Sequence, residues 1–353
     1  MYCIRRCNLL MRRLAVIYLL LCCCAAALWP LQCGMMRDVS YGQDVAARVA
    51  QDKVVRLLFM GDIMGHMPQV NAARRSDGSY DFSSVFRYVK PMIERADLAV
   101  ANLETTLSEE PPYSGYPRFR SPASLAEAVR DAGVDVALTA NNHALDCGAE
   151  GVRATLQVLD DCGLMHTGTS ADGLYTSPLL VDCQGVQIAI LNYTFSTNGI
   201  PLPDGVGVNM VDKDRIAADL QKCASADIRV ACLHWGVEYA ATPNREQRAL
   251  ASWLRSQGVD IVVGSHPHTV QRVECDGGGV TIYSLGNFVS NQRMEGTDEG
   301  IMVEVECRLR RDNQDLELFT NDIEYRVNIL PIWVRHRDYA VIPTALASKG
   351  LMH

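Results

Sequence analysis

The residues best suited to chemistry are two histidines in the run GSHPH at positions 264–268, directly after an apolar stretch at 259–263. The apolar stretch predicts a buried strand, and His266 and His268 follow it with one residue between them. Neutral imidazole is a preferred ligand for zinc, iron and manganese ions. Pro267 limits the conformations of the turn, and we expect Gly264 to let the chain turn sharply. The pattern predicts a metal clamp at the C-terminal edge of a strand, and the alternative is a hydrogen-bonded turn without metal.

Four further apolar runs also end in residues that can bind metal. They are 54–60 before Asp62, 97–101 before Asn102 and Glu104, 134–139 before Asn141, Asn142 and His143, and 227–233 before His234. Because the carboxyl ends of parallel strands meet at one sheet edge, we expect these side chains to converge on one or two metal ions. Single residues have simpler explanations: Asp62 and Glu104 could cap following segments, and His234 could be a core histidine beside Trp235. Five such strand ends in one chain favour the metal-site hypothesis.

The elements that must position these residues begin at residue 53, where β-rich runs start to alternate with helical patterns. This alternation predicts βαβ units and a largely parallel sheet. Helices are predicted within 84–96, 122–131, 148–161, 212–223 and 244–257.

A different pattern appears in the second half of the chain and predicts a second, more antiparallel sheet. It consists of a β-hairpin over 179–191 and strands at 280–285, 301–309 and 316–327, without helices between them. The chain is therefore predicted to form a two-sheet α/β sandwich, with one domain over 53–310 and a β-rich extension of it over 311–353. The long loop 105–121 is predicted to contact substrate.

The N-terminus carries four arginines, at positions 5, 6, 12 and 13, before an uncharged segment at 14–36. This pattern predicts a signal peptide or membrane anchor over 1–36 and a polar linker over 37–52. The segment is long enough to span a bilayer, yet alanines at 25–27 offer a cleavage site, so both interpretations stay open. The arginines are expected to stay in the cytoplasm, which would place the domain outside it, in the cell envelope.

Composition excludes several classes of protein. The chain has 353 residues, 48% hydrophobic and 21% charged, with a net charge of −8. These values predict a sizeable core and argue against disorder and a nucleic-acid partner. Of the 13 cysteines, those beyond the N-terminal segment are scattered without a C-x-x-C pair. That spacing predicts neither a zinc ribbon nor a disulfide scaffold, and most are expected to be buried small hydrophobes.

Seven ordered motifs resemble those of the CapA-type poly-γ-glutamate capsule-biosynthesis proteins. They are GDIM at 61–64, ADLA at 96–99, NLET at 102–105, NNHALDCG at 141–148, HWGVEY at 234–239, GSHPH at 264–268 and SLGNF at 284–288. The resemblance covers about residues 55–292. This family is similar to a branch of the calcineurin-like metallophosphoesterase superfamily, so it implies a sandwich of the metallophosphoesterase type. It also implies an N-terminal membrane segment and an extracytoplasmic domain.

The resemblance implies a role for each site residue. The metal ligands would be Asp62, Glu104, Asn142, His234, His266 and His268, holding one or two divalent ions such as manganese, iron or zinc. His143 would be the general acid that protonates the leaving group.

Two positions depart from the superfamily pattern. Glu104 stands where a bridging aspartate is usual, and Met64 stands where a ligand histidine is usual, although His66 could substitute. Outside the ligand set, Asp146 is predicted to cap a helix opening near Gly148. Pocket and packing roles are left open for Glu238 and Asn287, and His66 and His166 are otherwise expected at the surface or behind the ligands.

Three functions remain as hypotheses. The first is an envelope-associated factor in biosynthesis or export of a poly-γ-glutamate capsule or related exopolymer, with other capsule-synthesis proteins as partners. The second is an exported metal-dependent phosphoesterase for nucleotide, lipid or sugar phosphates. The third is a non-catalytic polymer-binding module. Turnover of a chromogenic phosphodiester would favour the second, and a metal-free protein would favour the third.

Overall fold

The computed structural model describes residues 52–311 and 319–349. The predicted signal or anchor over 1–36, and the linker over 37–52 except its last residue, lie outside the described residues. Within the described ranges no helix is both long and apolar enough to cross a membrane.

The larger sheet has eight strands, in the order β18-β17-β16-β1-β2-β5-β6, with β15 beside the end of β1. Its strands are β1 (Lys53–Ile63), β2 (Leu98–Leu103), β5 (Val136–Leu138), β6 (Met165–Thr167), β15 (Asn287–Val289), β16 (Glu299–Arg311), β17 (Phe319–Val334) and β18 (Val341–Pro343). The strands β1, β2, β5 and β6 run parallel, whereas β16, β17 and β18 form an antiparallel meander attached to β1.

The second sheet has six strands, in the order β13-β14-β12-β11-β9-β8. They are β8 (Leu179–Cys183), β9 (Val186–Thr194), β11 (Ile228–His234), β12 (Ile261–Ser265), β13 (Val273–Asp276) and β14 (Gly279–Ile282). Two short pairs complete the set, β3 (Thr106–Ser108) with β4 (Arg120–Pro122) and β7 (Thr169–Ser170) with β10 (Gly207–Val208).

The predicted division of strands between the sheets is wrong. The second sheet is parallel at its centre, from β9 through β14, and antiparallel only at its two edges. The late strands β16 and β17 instead join the first sheet, where Lys53 pairs with Leu309 and Phe59 with Val303. The strands at 301–309 and 316–327 are predicted in the second sheet, but β1, the strand to which they attach, lies far away in the chain.

Seven helices are described. They are α1 (Met67–Ala73), α2 (Ser83–Phe86), α3 (Lys90–Ile93), α4 (Ser124–Asp131), α5 (Gly148–Cys162), α6 (Lys213–Lys222) and α7 (Arg245–Ser256), and a 3₁₀ helix covers Thr344–Lys349. The side chain of Asp212 caps α6 by accepting the N–H of Arg215 at 2.8 Å. The predicted helix over 84–96 is two short helices, because Pro91, in the first turn of α3, cannot continue a helix from α2.

The core has apolar layers on both faces of each sheet. Along β1, Val55, Leu57 and Phe59 pack between the sheets, against residues of β9 and β11. The alternate residues, Leu58 and Met60, pack with α4 and α5 on the outer face. Helices α6 and α7 cover the outer face of the second sheet. The layers therefore run helices, sheet, sheet, helices, and the strand period of two explains why both faces are apolar.

Candidate metal centre

Two buried carboxylates come from the first sheet. Asp62 lies in β1 and Glu104 follows β2, and both side chains are fully buried. One oxygen of Asp62, Oδ1, accepts a hydrogen bond from Nδ2 of Asn102 at 2.7 Å. The other, Oδ2, lies 3.1 Å from Nδ1 of His268 and 3.3 Å from the backbone N of His266. Asp62 is thereby fixed against the loop that follows β12.

Glu104 lies among three imidazoles. Its Oε1 is 3.6 Å from Nε2 of His234, 3.7 Å from Nε2 of His268 and 4.0 Å from Nε2 of His143. That oxygen is buried and has no hydrogen-bond partner. Burial, followed by the nearby negative charge of Asp62, raises the pKa of Glu104 well above its usual range. A buried, unpartnered carboxylate oxygen facing imidazole nitrogens fits a site for a cation.

The second sheet supplies the histidines at positions 234, 266 and 268. His234 ends β11, and its Nε2 lies 3.2 Å from Nδ1 of His266 and 2.8 Å from Oδ1 of Asn142. His266 and His268 have left-handed φ angles of 99° and 57°, conformations that cost energy for residues other than glycine. The loop is held by a hydrogen bond from the N–H of Tyr239 to the carbonyl of Pro267, at 2.7 Å.

Gly264 has a different role from the predicted one. It lies within β12, and its φ is not in the left-handed region. A Cβ there would collide with the carbonyl oxygen of Tyr283 and the indole nitrogen of Trp235. Glycine is needed for this close approach, and the turn itself is made by the two histidines.

The protonation states of His234, His266 and Asp62 suit metal binding. Burial lowers the pKa of His234 well below its usual range and that of His266 to about 4, and neighbouring imidazoles add to the effect. Burial alone would raise the pKa of Asp62, but hydrogen bonds and charge from His268, with help from Asn102, outweigh it and lower that pKa. At neutral pH the rings of His234 and His266 are neutral and Asp62 is ionised, as metal ligands must be.

The ligand atoms form two groups of three that share Glu104. One group is Asp62, Glu104 and His268, and the other is Glu104, His234 and His266, with the atoms of each within 4.8 Å of one another. Asn142 contacts the second group through His234. A third group joins the exposed Glu238 to His266 and His268.

The structure therefore brings all six predicted metal ligands together, and their roles as ligands stay predictions. They do not lie on one sheet edge as predicted. Asp62, Glu104 and Asn142 lie in or after strands of the first sheet, and the three ligand histidines lie in or after strands of the second.

His143 lies beside the two ligand groups and is oriented by Asp146. The Oδ2 atom of Asp146 is 2.8 Å from Nδ1 of His143 and accepts the N–H of Phe119 at 2.6 Å. With Nδ1 donating to this carboxylate, Nε2 is directed toward Glu104. The predicted capping role of Asp146 is wrong: the residue before α5 is Cys147, which makes no side-chain capping bond.

Sequence reasoning named Asn102 at a strand end but gave it no role in the site. Its Nδ2 lies 2.7 Å from Asp62, 3.5 Å from Glu104 and 3.3 Å from Nδ1 of His234, so one amide contacts both ligand groups. A signal was present, since residues two apart in a strand point to the same face, and Asn102 precedes Glu104 by two. The sequence left a pocket or a packing role open for Asn287. In the structure it contacts a predicted ligand, since its Oδ1 lies 3.0 Å from Nδ1 of His268.

Other residues frame the site without joining the ligand groups. Met64 is buried, and its sulfur accepts a hydrogen bond from Ser290 at 3.8 Å. His66 lies outside all three groups, 3.1 Å from Oε1 of Gln69 and edge-on to the ring of Phe119. His166 pairs instead with Asp160 at 3.1 Å.

Comparison with known proteins gives one family and several relatives. Residues 56–292, about two thirds of the chain, match the family model described as bacterial capsule synthesis protein PGA_cap. The PGA biosynthesis protein CapA of Bacillus subtilis is 31% identical over 72% of this chain and 68% of its own length. The capsule biosynthesis protein CapA of Bacillus anthracis is 28% identical over 73% of this chain and 65% of its own.

Among solved structures, a 5'-nucleotidase from Candida albicans is similar at 11% identity with a TM-score of 0.46. The match covers 80% of this chain and 52% of that one. A likeness this distant carries no argument about activity.

Proposed function

This chain belongs to the PGA_cap family of bacterial capsule synthesis proteins, and from that membership we propose that it acts in making a poly-γ-glutamate capsule or a related anionic exopolymer. We propose further that its domain binds one or two divalent ions and carries out hydrolysis or group transfer.

The observation that carries the metal proposal is the environment of Glu104. Its unpartnered Oε1 is shared by two groups of ligand atoms, one with Asp62 and one with His234. A carboxylate in that position is suited to bridging two ions, as in two-metal hydrolases. A single ion in either group is the simpler form of the same proposal.

The chemistry of the site divides between the ion and the side chains. A divalent ion would act as a Lewis acid on a phosphoryl or carbonyl oxygen of the substrate. His143 faces the site with Nε2, because Nδ1 bonds to Asp146, and the ring carries a proton to donate at Nε2 only when it is doubly protonated. It would give a proton to the leaving group, a role worth about 10²–10⁴-fold in rate. Asn102 fixes the separation of Asp62 and Glu104.

The test is the metal content of the purified full-length chain, measured by mass spectrometry after growth with manganese, iron and zinc. We expect His266→Ala combined with His268→Ala to abolish uptake, because each ligand group loses one imidazole. A matched control replaces two histidines outside these groups, His166 and His336, with alanine and should retain the metal. Equal metal content in wild type and in the site double variant would refute the metal centre.

Phosphoester hydrolysis is the second candidate. Two ligand groups sharing one carboxylate suit in-line displacement at phosphorus. Turnover of bis-p-nitrophenyl phosphate by the metal-loaded chain, lost in His143→Asn, would favour it. Metal binding without turnover of phosphodiester or polymer would favour a polymer-binding module.

The proposed place of action is the cell envelope, outside the cytoplasm. Support comes from the arginines and the uncharged segment at 14–36, together with the capsule-related names of the relatives. Protease added to cells with an opened outer barrier and an intact inner membrane should digest residues 53–353. Survival of this region while a known external protein is cut would reverse the topology.

A further inference from the structure

A small cavity opens beside His143 and has not been given a role. It measures about 250 Å³ and is lined by Tyr116, Pro117, Arg118, His143, Asp146, Asn198, Ile200 and Glu238. Ligand pockets for drug-sized molecules usually start at about 300 Å³, so this one suits a single small group and excludes several polymer units. Whatever binds there lies next to the proposed proton donor.

Among the described residues that line this cavity, Arg118 is the only arginine or lysine. Its side chain is exposed, and no carboxylate oxygen of the described residues lies within 4.0 Å of its guanidinium, the limit for an ion pair. Its position is nevertheless well defined by the backbone. The hydroxyl of Ser114 donates to the carbonyl of Arg118 at 2.7 Å, and the adjacent Phe119 is buried and held by Asp146. A guanidinium without an ion pair, carried on a backbone held in this way, is suited to bidentate binding of a carboxylate.

Glu238 supplies the opposite charge in the same cavity. It is exposed and forms no ion pair with a lysine or arginine of the described residues, while its carboxylate groups with the imidazoles of His266 and His268. Burial, followed by the negative charge of the adjacent Glu238, raises the pKa of Tyr239 to about 12. Asn198 completes the polar lining, and its Oδ1 accepts a hydrogen bond from Asn142 at 3.2 Å. A carboxylate and an amide are suited to binding an ammonium group.

We propose that this cavity binds a substrate end group that carries an ammonium and a carboxylate on one carbon, as the free end of a glutamate polymer does. Arg118 binds the carboxylate, Glu238 binds the ammonium, and Tyr116 and Ile200 cover the aliphatic part. This inference rests on the proposed function and deepens it, since it makes the site specific for chain ends. Arg118 by itself could bind any carboxylate along the polymer. Glu238 repels the interior units, which carry negative charge and no ammonium, so the pair favours the chain end.

The test measures binding of γ-glutamyl-glutamate to the full-length chain by titration calorimetry, together with two blocked forms. We expect the N-acetyl form and the α-carboxamide of the N-terminal unit each to bind about tenfold to a hundredfold more weakly, since each loses one charged hydrogen-bond pair. Arg118→Ala should bind the free dipeptide more weakly than wild type by a similar factor. The variant's affinity for the free dipeptide should be no higher than its affinity for the α-carboxamide. Glu238→Gln should bind the free dipeptide and its N-acetyl form with equal affinity. The matched controls Arg95→Ala and Glu127→Gln change exposed charges elsewhere and should bind like wild type.

Three results would overturn the assignment. They are no binding of the free dipeptide, equal binding of the free and blocked forms, and unchanged discrimination in Arg118→Ala. Metal content is measured on the same samples. A wild-type chain that takes up no metal contradicts the proposed function instead, and loss of metal in Glu238→Gln would make Glu238 a ligand and overturn its role here.

Discussion

Among single residues, Asp146 matters most for chemistry because it sets the orientation of the His143 ring. Asp146 accepts hydrogen bonds from Nδ1 of His143 and from the N–H of Phe119. The carboxylate is thereby held in place, and rotation of the His143 ring would break its bond to Asp146. We expect Asp146→Asn to lower turnover by about 10²–10⁴-fold, because an amide no longer fixes the tautomer with Nε2 toward substrate. Metal content should not change.

The matched control for this variant is Asp160→Asn, which alters another carboxylate–histidine pair, that of Asp160 with His166. It should leave turnover of bis-p-nitrophenyl phosphate or of the polymer at the wild-type level. A loss of metal in Asp146→Asn would show that Asp146 acts on the ligands and not on the proton donor.

His66 provides a prediction about pH. Burial lowers the pKa of His66 from 6.5 to about 4. The unfolded chain therefore binds more protons between pH 4 and pH 6.5, and the free energy of unfolding rises with pH across that window. We expect this residue to lower stability at pH 5, relative to pH 7, by on the order of 1–2 kcal/mol.

Urea denaturation of wild type and His66→Asn, both in a chelator, measures this contribution. Asparagine keeps an acceptor for the N–H of Asn291, which contacts Nδ1 of His66 at 3.4 Å. The variant should lose less stability than wild type on going from pH 7 to pH 5. The same pH dependence in both proteins would contradict a neutral, buried His66.

At the scale of elements, β12 places two of the histidines because it packs closely against β14 and the residues that follow. A Cβ at Gly264 would strike the carbonyl of Tyr283 and the ring of Trp235, so the strand would have to move. We expect Gly264→Ala to lower the free energy of unfolding by about 1–3 kcal/mol and to reduce metal uptake. Gly277 is the matched control, since a Cβ there meets nothing within 4 Å. A Gly264→Ala chain as stable as Gly277→Ala would contradict the packing.

At the scale of the whole molecule, the candidate metal centre joins the two sheets. Asp62 and Glu104 come from one, and His234, His266 and His268 come from the other. A ligand that binds only the folded state stabilises it by about 2.7 kcal/mol at one hundred times its dissociation constant. We expect manganese or zinc to raise the midpoint of thermal unfolding, and Glu104→Gln, which keeps the shape of the side chain, to remove most of this increase. An equal shift in both proteins would place the ion elsewhere.

The amino-acid sequence was enough to predict most of the strands and helices and the polar residues at the strand ends. Continuous apolar runs predicted the strands, Asp212 and Asn244 marked helix starts, and polar residues after strands predicted a metal site. These features depend on neighbours within a few residues, where backbone periodicity and capping are set. Membership of the family also followed from short motifs, because their order along the chain is a property of the sequence.

How the strands, helices and site residues combine became clear from the three-dimensional arrangement. It divided the ligands between two sheets, placed the meander of β16 and β17 on β1, and turned Asp146 from a supposed cap into the partner of His143. The physical reason is distance along the chain. The N–H of His266 meets Asp62 across 204 residues, and such a contact is selected by packing of both sheets together, which no local pattern encodes.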